Sequence, residues 1–354
     1  MIGRVNINGN EQWVGFISGG YSGSNWTTTT SVTRGKGFYV IDLATGNVLW
    51  SYTRTKNNTS MNYDLVANPA AVDTDNDGFV DTVYVGDLGG NVWRFNLCKI
   101  MATSDAPYGK CTQATSVNDW RGGLMFDAQG TGGQIFHMAD VARDSSGYIW
   151  VYFGTGNETD PTVVPTNGTT DKFFALIDKK RTNTTLSSIG LSNLKDITLN
   201  TFNSAISSAD MTNYSGWVLK LTTPGEKVLS EAAVFQGAIY FTTYVPGNAS
   251  NVCDQGGTAN LYALNYMTSG GLLSGNARSE VIGSGIPSSP IVSIGPTGLV
   301  SVYASTSASN SSGAQTQSLN SGTRPNTCPS PPNCPFGPTA PGGYLHHWLD
   351  LRLQ

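Results

Sequence analysis

Short runs of β-branched and aromatic residues, each bounded by Gly, Asp, Asn or Ser, recur along the chain and constrain its fold most strongly. They occupy residues 13–17, 38–43, 82–86, 91–97, 148–154, 173–178, 216–221, 238–245, 260–266 and 299–305. Runs of this length and composition predict strands joined by tight turns. No segment has the sustained 3.6-residue periodicity of a long amphipathic helix. The pattern therefore predicts an all-β protein.

Two of these strand pairs share a hairpin pattern. YVIDLATGNVLW at 39–50 and YVGDLGGNVWRF at 84–95 each join two strands through an Asp- and Gly-containing turn. Repeated antiparallel hairpins of this kind predict a β-propeller, here incomplete or modified because the spacing is irregular. Long loop insertions are expected at 54–64, 157–171, 181–213 and 305–342. We expect one domain over 1–354, with 305–342 a Ser/Pro-rich loop or tether before the last strand.

Composition narrows the functional class. Charged residues make up 12% of the chain, about half the usual share. The net charge of −4 leaves no broad basic surface, which argues against nucleic acid as a partner. No stretch of 18 apolar residues predicts a membrane span, and the first ten residues lack the features of a signal peptide. We expect an extracellular protein, and if it is secreted, this sequence is a mature region or a cloned piece.

An acidic loop at 73–81 predicts a calcium site. Asp73, Asp75, Asp77 and Asp81 occupy positions 1, 3, 5 and 9 of the loop, with Gly78 at position 6. Hard dications such as Ca²⁺ take six to eight oxygen ligands in loops of this kind, and the backbone carbonyl of Phe79 is expected to supply another. The flanking sequence is strand-like and position 12 is Tyr84, so this is not an EF-hand. The alternative is a solvated acidic turn without metal.

Five cysteines give two candidate disulfides. In an oxidising compartment Cys98 with Cys111, and Cys328 with Cys334, would each close a short loop, while Cys253 is unassigned. The alternative is a set of unpaired thiols in a cytosolic protein.

The chain resembles the C-terminal β-propeller of a known family, the PilY-type tip proteins of bacterial type IV pili. The resemblance depends on the segments 72–97, 151–160, 216–246 and 253–265. It implies Ca²⁺ bound by the acidic loop, a place at the pilus tip on the cell surface, and roles in pilus biogenesis, extension and retraction control, and adhesion. Implied partners are minor pilins and a surface or host-cell ligand. The chain begins at what resembles the middle of the family's propeller. This start fits an expressed fragment, a gene split in two, or a short chain that completes its propeller by pairing with another polypeptide.

Two other functions remain open at this stage. A quinoprotein-like propeller enzyme is suggested by Asp42, Thr45, Gly46 and Trp50, which match one turn motif of that class, although the same motif serves structure in other propellers. Adjacent cysteines and the common catalytic motifs are absent from the sequence, so we expect no enzyme.

A glycan-binding, lectin-like module is the second alternative, because Tyr21 and Trp26 in a Gly/Ser/Thr-rich loop could stack on sugars. We expect no catalytic role for His137, His346 or His347. Asp87 and Arg94 are interpreted as structural residues of a blade turn, where an Asp commonly bonds backbone amides.

Overall fold

The structure, a computed structural model, consists of short strands and the loops that connect them. It describes residues 1–27, 33–100, 111–128, 130, 133–165, 169–179, 188–199, 206–247, 256–294, 300–307 and 315–317. Within these residues the chain forms 23 strands and one α-helix, α1 (Ser208–Asn213). The all-β expectation is confirmed.

The first sheet is a plain antiparallel meander. Its strands are β1 (Ile2–Ile7), β2 (Asn10–Ser18), β3 (Gly37–Asp42) and β4 (Val48–Thr53), in that spatial order. Alternate residues of β2 and β3 are fully buried, among them Val14, Phe16, Phe38 and Val40. This period of two is what a strand buried on one face requires.

The second sheet carries the acidic loop. It comprises β5 (Ala70–Val72), β6 (Thr82–Gly86), β7 (Val92–Asn96), β10 (Arg121–Asp127) and β14 (Ile189–Gly190), in the order β14-β10-β7-β6-β5. Only the β10–β14 pair is parallel among the pairs of this sheet. Between β7 and β10 a separate two-stranded hairpin pairs β8 (Lys99–Ile100) with β9 (Cys111–Thr112).

Three further sheets follow. The third has the order β11 (Asp140–Arg143), β12 (Ile149–Gly154), β13 (Lys172–Asp178), β16 (Gly216–Lys220), β15 (Lys195–Asp196). The fourth runs β17 (Ala233–Phe235), β18 (Ala238–Val245), β19 (Thr258–Asn265), β20 (Ser279–Ser284), and the fifth β21 (Ile291–Ile294), β22 (Val300–Ala304), β23 (Gln315–Gln317).

The described residues fall into two compact units, 1–150 with 177–191, and 151–176 with 192–317. In the first, the inner face of the first sheet packs on β6 and β7, where Phe38 stacks on Phe95 with ring centroids 4.2 Å apart. In the second, Phe173 stacks on Phe241 at 3.8 Å. Burying each such ring contributes about 1.5–3 kcal/mol. The expectation of a single domain over 1–354 stays a prediction.

The ten predicted strand segments all coincide with observed strands. The loop expected at 181–213 is partly wrong, because its described residues include β14, β15 and α1. These elements are only two to six residues long, too short to leave a periodic signal in the sequence. Of 305–342, residues 315–317 form β23, and most of the rest lies outside the described residues.

Candidate metal centre

The acidic loop joins the antiparallel strands β5 and β6. The backbone N–H of Asp81 donates to the carbonyl of Val72 at 3.0 Å, which brings the two ends of the loop together. Gly78 has φ of +90° and Asn76 φ of +63°, conformations that glycine and asparagine adopt most readily. The loop therefore reverses direction where the sequence places its glycine.

The carboxylate of Asp73 organises the loop from inside. One oxygen, Oδ1, accepts from the backbone N–H of Asn76 at 2.7 Å, and the other, Oδ2, accepts from that of Gly78 at 2.7 Å. Asp73 is 2% exposed. These backbone donors compensate for part of the cost of burying a carboxylate.

A second buried carboxylate closes the other side. Asp81 Oδ2 accepts from the backbone N–H of Thr74 at 2.7 Å and from its hydroxyl at 2.6 Å. Carboxylate oxygens of Asp73, Asp75 and Asp81 all lie within 4.8 Å of one another. Three like charges at this separation repel strongly in a partly buried site. A cation between them would remove that cost.

The donor set fits a hard dication. Every side-chain donor in the group is a carboxylate oxygen. Oxygens that ligate one Ca²⁺ at 2.3–2.6 Å lie at most about 5 Å apart, so the observed separation is compatible with a shared ion. Bound there, Ca²⁺ would supply charge neutralisation and cross-link the loop to the start of β6.

Asp77 and Phe79 lie in the same loop but outside this group of three. Asp77 Oδ1 accepts from the backbone N–H of Phe79 at 2.9 Å. Burial is the main cause that raises the pKa of Asp77, and the charge of Asp73 adds to it, while the Phe79 hydrogen bond and Arg4 oppose it. The roles of Asp77 and of the Phe79 carbonyl as ligands stay predictions.

The described residues include the segments of only one predicted disulfide, Cys98 with Cys111. Cys98 is buried, 4% exposed, directly before β8, and the β8–β9 pairing places Ile100 opposite Cys111. The hairpin thus brings the two chain segments side by side. Cys253, Cys328 and Cys334 lie outside the described residues, as do His346 and His347. Both disulfides stay predictions.

Asp87 has the structural role that the sequence indicated. Its Oδ1 accepts from the backbone N–H of Gly89 at 2.8 Å and of Asn91 at 3.0 Å, and its Oδ2 accepts from the indole of Trp93 at 2.8 Å. Burial raises the pKa of Asp87 to about 6, against the opposing effect of these hydrogen bonds.

A second turn of this kind, at Asp144, was not predicted from the sequence. Asp144 accepts from the backbone N–H of Ser146 and of Tyr148, at 2.9 and 2.8 Å, and from the indole of Trp150 at 2.9 Å. The pattern D-x-x-G-x-x-W, which residues 87–93 and 144–150 share, could have identified it.

Arg94 is paired within the first unit to Asp178, not to Asp87. Its guanidinium contacts the Asp178 carboxylate, and both side chains are 2% exposed. The hydroxyl of Tyr84 donates to the other Asp178 oxygen at 2.7 Å. The three side chains form a buried polar network.

The residues behind the two alternative functions are placed as follows. Asp42 accepts from the backbone N–H of Ala44 at 2.8 Å in its turn, and Trp50 packs edge-on against Phe95 of β7 at 6.1 Å, so this motif stabilises the turn and the sheet packing. Tyr21 is 51% exposed. The ring of Trp26 packs near that of Tyr63, with centroids 6.3 Å apart. Among the described residues, no helix combines the length and hydrophobicity needed to cross a bilayer.

Successive small sheets of mostly antiparallel strands, two of which contain an aspartate turn between neighbouring strands, are typical of a β-propeller class of protein. Residues 2–211 match the family model described as the PilY1 beta-propeller domain. The chain belongs to this family.

Relatives and a solved structure agree with that assignment. The chain is 27% identical over 293 residues to a type IV pilus biogenesis factor PilY1 homolog of Xylella fastidiosa, covering 75% of this chain and 18% of the relative. It is 29% identical over 157 residues to the type IV pilus biogenesis factor PilY1 of Pseudomonas aeruginosa, covering 42% and 13%.

The crystal structure of the Pseudomonas aeruginosa PilY1 C-terminal domain matches with a TM-score of 0.58 and 19% identity, over 89% of this chain and 71% of that one. This match shows the shared fold. The chain spans less than a fifth of the length of the curated relatives.

Proposed function

We propose that the chain is the calcium-binding β-propeller of a type IV pilus biogenesis factor, which acts at the pilus tip through protein contacts and catalyses no reaction. Membership of the PilY1 β-propeller family supports the link to pilus machinery. Supporting roles in extension and retraction control and in adhesion belong to this proposal, as do minor pilins and a surface or host-cell ligand as partners.

One observation carries the calcium part of the proposal. Carboxylate oxygens of Asp73, Asp75 and Asp81 meet within 4.8 Å in a loop whose backbone is already turned by Gly78. Because Asp73 and Asp81 also hold the loop's own amides, a bound ion would stabilise the connection between β5 and β6. Pilus-related contacts made near this hairpin would then depend on calcium.

Calcium titration by calorimetry on the chelator-treated protein tests this. Asp75 is the residue to change, because it is the exposed member of the group and Asp75→Ala removes a ligand without opening the core. Asp160→Ala is the matched control, since Asp160 is an exposed aspartate that accepts hydrogen bonds in its own turn. We expect one calcium bound by the wild type and by the control, and none by Asp75→Ala.

Stability supplies a second readout. At a free calcium concentration of 100 Kd, binding to the folded state alone adds about 2.7 kcal/mol to the free energy of unfolding. Calcium should therefore raise the melting temperature of the wild type and of Asp160→Ala only. Absence of both heat and a melting shift in the wild type would make the loop a metal-free turn.

The pilus part has its own test. The matched region of PilY1 in Pseudomonas aeruginosa would be replaced by this chain, and surface piliation and twitching measured. Retained piliation supports the proposed role, and loss of piliation with normal protein levels at the surface contradicts it. The Asp75→Ala version then separates calcium-dependent control from assembly.

A further inference from the structure

The fourth sheet has a buried carboxylate beside it, that of Glu226. The next residue, Lys227, exchanges backbone hydrogen bonds with Tyr244 of β18 at 3.0 and 2.9 Å, which fixes this segment against the sheet. Glu226 is 3% exposed. Charged side chains are almost never buried to this extent unless they are paired. A partner of opposite charge is therefore expected for this carboxylate.

One oxygen of the carboxylate takes all the hydrogen bonds that the described residues donate to it. Oε1 of Glu226 accepts from the hydroxyl of Thr243 at 2.7 Å, from the phenol of Tyr262 at 2.9 Å and from the side-chain amide of Asn260 at 3.4 Å. In the described part of the chain, Oε2 accepts none of these bonds, yet it is not one of the fully enclosed atoms that lack a partner. Oε2 is therefore open to a ligand.

The three donors around Oε1 are all neutral. Burial, followed by the charge of Glu226, raises the pKa of Tyr262, so the phenol keeps its proton and donates it. Hydroxyl, phenol and amide donors compensate for part of the desolvation of the carboxylate. They do not neutralise its charge.

The chain's own cations are engaged elsewhere. In the part that the structure describes, no lysine, arginine or histidine forms an ion pair with Glu226. The ammonium of the adjacent Lys227 donates instead to the backbone carbonyls of Pro161 and Val163, each at 2.8 Å. The negative charge of Glu226 is thus left for an external cation.

A row of stacked aromatic rings ends beside this carboxylate. Phe173 stacks on Phe241 with centroids 3.8 Å apart, and Phe241 stacks on Tyr262 at 4.7 Å with an interplanar angle of 10°. Phe241 and Tyr262 are directly paired on β18 and β19, and Tyr262 is paired with Ser279 of β20. Because Phe241 covers one face of the Tyr262 ring, the other face is directed towards Ser279, which is small and exposed. That ring face is available to a planar group.

The strand that borders this ring face adds an apolar side chain and no charge. Val281 of β20 is paired with Asn260 and is 64% exposed. Glu280 lies between Ser279 and Val281 in the sequence, so its side chain leaves the opposite face of the strand. A ligand here therefore meets a carboxylate, an aromatic face and an aliphatic side chain.

This combination fits a planar organic cation better than a metal ion. Among the described residues, the acidic, histidine and cysteine side chains close enough to share an ion are those of the acidic loop, and Glu226 supplies a single carboxylate. A guanidinium is planar, permanently charged, stacks on aromatic faces and forms strong hydrogen bonds to carboxylates. A lysine ammonium would satisfy the charge but would not use the flat ring face.

We propose that Glu226 and Tyr262 form a binding site for the guanidinium of an arginine side chain presented by a partner polypeptide. The guanidinium lies on the free face of Tyr262 and donates to Oε2 of Glu226, and Val281 contacts the aliphatic part of the arginine. The site lies entirely within the second unit. It goes beyond the calcium-dependent role and holds whether or not the acidic loop binds metal.

Blocked amino acids test the chemistry of the site. The probe is N-acetyl-arginine N-methylamide, titrated into the full chain and followed by saturation-transfer NMR, with the citrulline derivative as its neutral match and the lysine derivative as its non-planar match. We expect a Kd on the order of 1 mM for the arginine derivative. The citrulline derivative should bind at least about tenfold more weakly because it lacks the charge.

Two matched variants locate the site. Glu226→Gln keeps an acceptor for Thr243 and Tyr262 but removes the charge, and it should weaken binding of the arginine derivative about tenfold or more. Glu280→Gln removes a half-buried carboxylate from the other face of the sheet and should leave binding unchanged. Melting curves of both variants check that each is folded.

An exposed position provides a variant that leaves the buried network intact. Ser279→Trp places an indole beside the free face of Tyr262, and it should also weaken binding of the arginine derivative about tenfold or more by occupying that face. If Glu226→Gln fails to fold, this variant decides the question.

Several results would overturn the proposal. Equal binding of the arginine and citrulline derivatives would show that charge is not recognised, and equal binding of the arginine and lysine derivatives would remove the role of the Tyr262 face. Binding of free arginine alone, with none of the blocked derivative, would replace the partner polypeptide with the amino acid. Unchanged binding in both Glu226→Gln and Ser279→Trp would make Glu226 a structural residue only. None of these results depends on the calcium titration, so failure here is distinguishable from failure of the proposed function.

Discussion

The indole N–H of Trp93 donates to the carboxylate of Asp87 across 2.8 Å, and both side chains are fully buried. The same contact links Trp150 to Asp144 at 2.9 Å in the third sheet. In each case the aspartate starts a turn, caps the turn's amides and then holds a tryptophan six residues later. One carboxylate thus fixes both the turn and the rotamer of a large core side chain.

Asp87→Ala should therefore destabilise the first unit more than removal of an ordinary turn residue. It leaves the Trp93 indole and the amides of Gly89 and Asn91 without their buried acceptor. Each buried unsatisfied donor costs about 1–3 kcal/mol, so the free energy of unfolding should fall by several kcal/mol. Denaturant unfolding measures this, with Asp42→Ala in a more exposed turn as the control, for which we expect a loss of about 1 kcal/mol or less.

The raised pKa of Asp87 predicts a pH dependence of stability. Its ordinary value is 3.8 and its folded value is about 6, so between these values the folded state holds a proton that the unfolded state has released. The contribution is complete below pH 4, is lost as pH rises through 6, and amounts to about 3 kcal/mol.

Asp87→Asn isolates this contribution because asparagine mimics the protonated acid and does not titrate. Unfolding midpoints of the wild type and of this variant would be compared from pH 4.5 to 7.5. The difference between them should shift in favour of the variant as pH rises. Parallel pH profiles would show that Asp87 titrates near its ordinary value.

Much of the hairpin architecture was readable from local sequence. The runs at 82–86 and 238–245 coincide with β6 and β18 to the residue, because β-branched and aromatic runs between turn residues leave few other conformations. The acidic loop was placed for the same reason, since its glycine and aspartates specify a local turn. Asp144 was missed although its spacing matches Asp87, because Ser145 and Ser146 replace the Leu-Gly of the first turn.

What the sequence could not reveal depends on distant residues. Arg94 and Asp178 are 84 positions apart, and nothing local to either residue indicates the other. The buried face of the first sheet was likewise hidden, because the alternation of Trp13 and Val14 only shows that two faces exist. Both are apolar, so the pattern does not reveal which one is covered. Only the packing of Phe38 on Phe95 identifies the inner one.

The buried network of Arg94 predicts a strong asymmetry between single and double substitutions. Arg94→Met leaves the Asp178 carboxylate buried without its cation, although the Tyr84 hydroxyl still donates to it. The free energy of unfolding should therefore fall by about 3–5 kcal/mol. Arg94→Met combined with Asp178→Asn removes the uncompensated charge and should recover part of that loss. Chemical unfolding of the single and double variants measures the coupling.

An exposed pair provides the comparison for this cycle. Lys220 Nζ lies 2.7 Å from Asp196 Oδ2, but the two side chains are 47% and 45% exposed. Lys220→Met should change the free energy of unfolding by about 1 kcal/mol or less. Similar losses for Arg94→Met and Lys220→Met would contradict a dominant role of burial.

We predict that Cys98 and Cys111 form a disulfide. The β8–β9 hairpin brings the two cysteine-bearing segments alongside each other, and cross-linking a loop of this length should add about 3 kcal/mol to the free energy of unfolding. Tryptic mapping without reduction should yield one peptide pair that contains both cysteines, which separates on reduction. Cys98→Ala and Cys111→Ala should each lose the added stability because either change removes the same bond, and Cys98→Ala should also lose the packing of a buried side chain. Separate peptides before reduction, or an unchanged free energy of unfolding for Cys111→Ala, would contradict the disulfide.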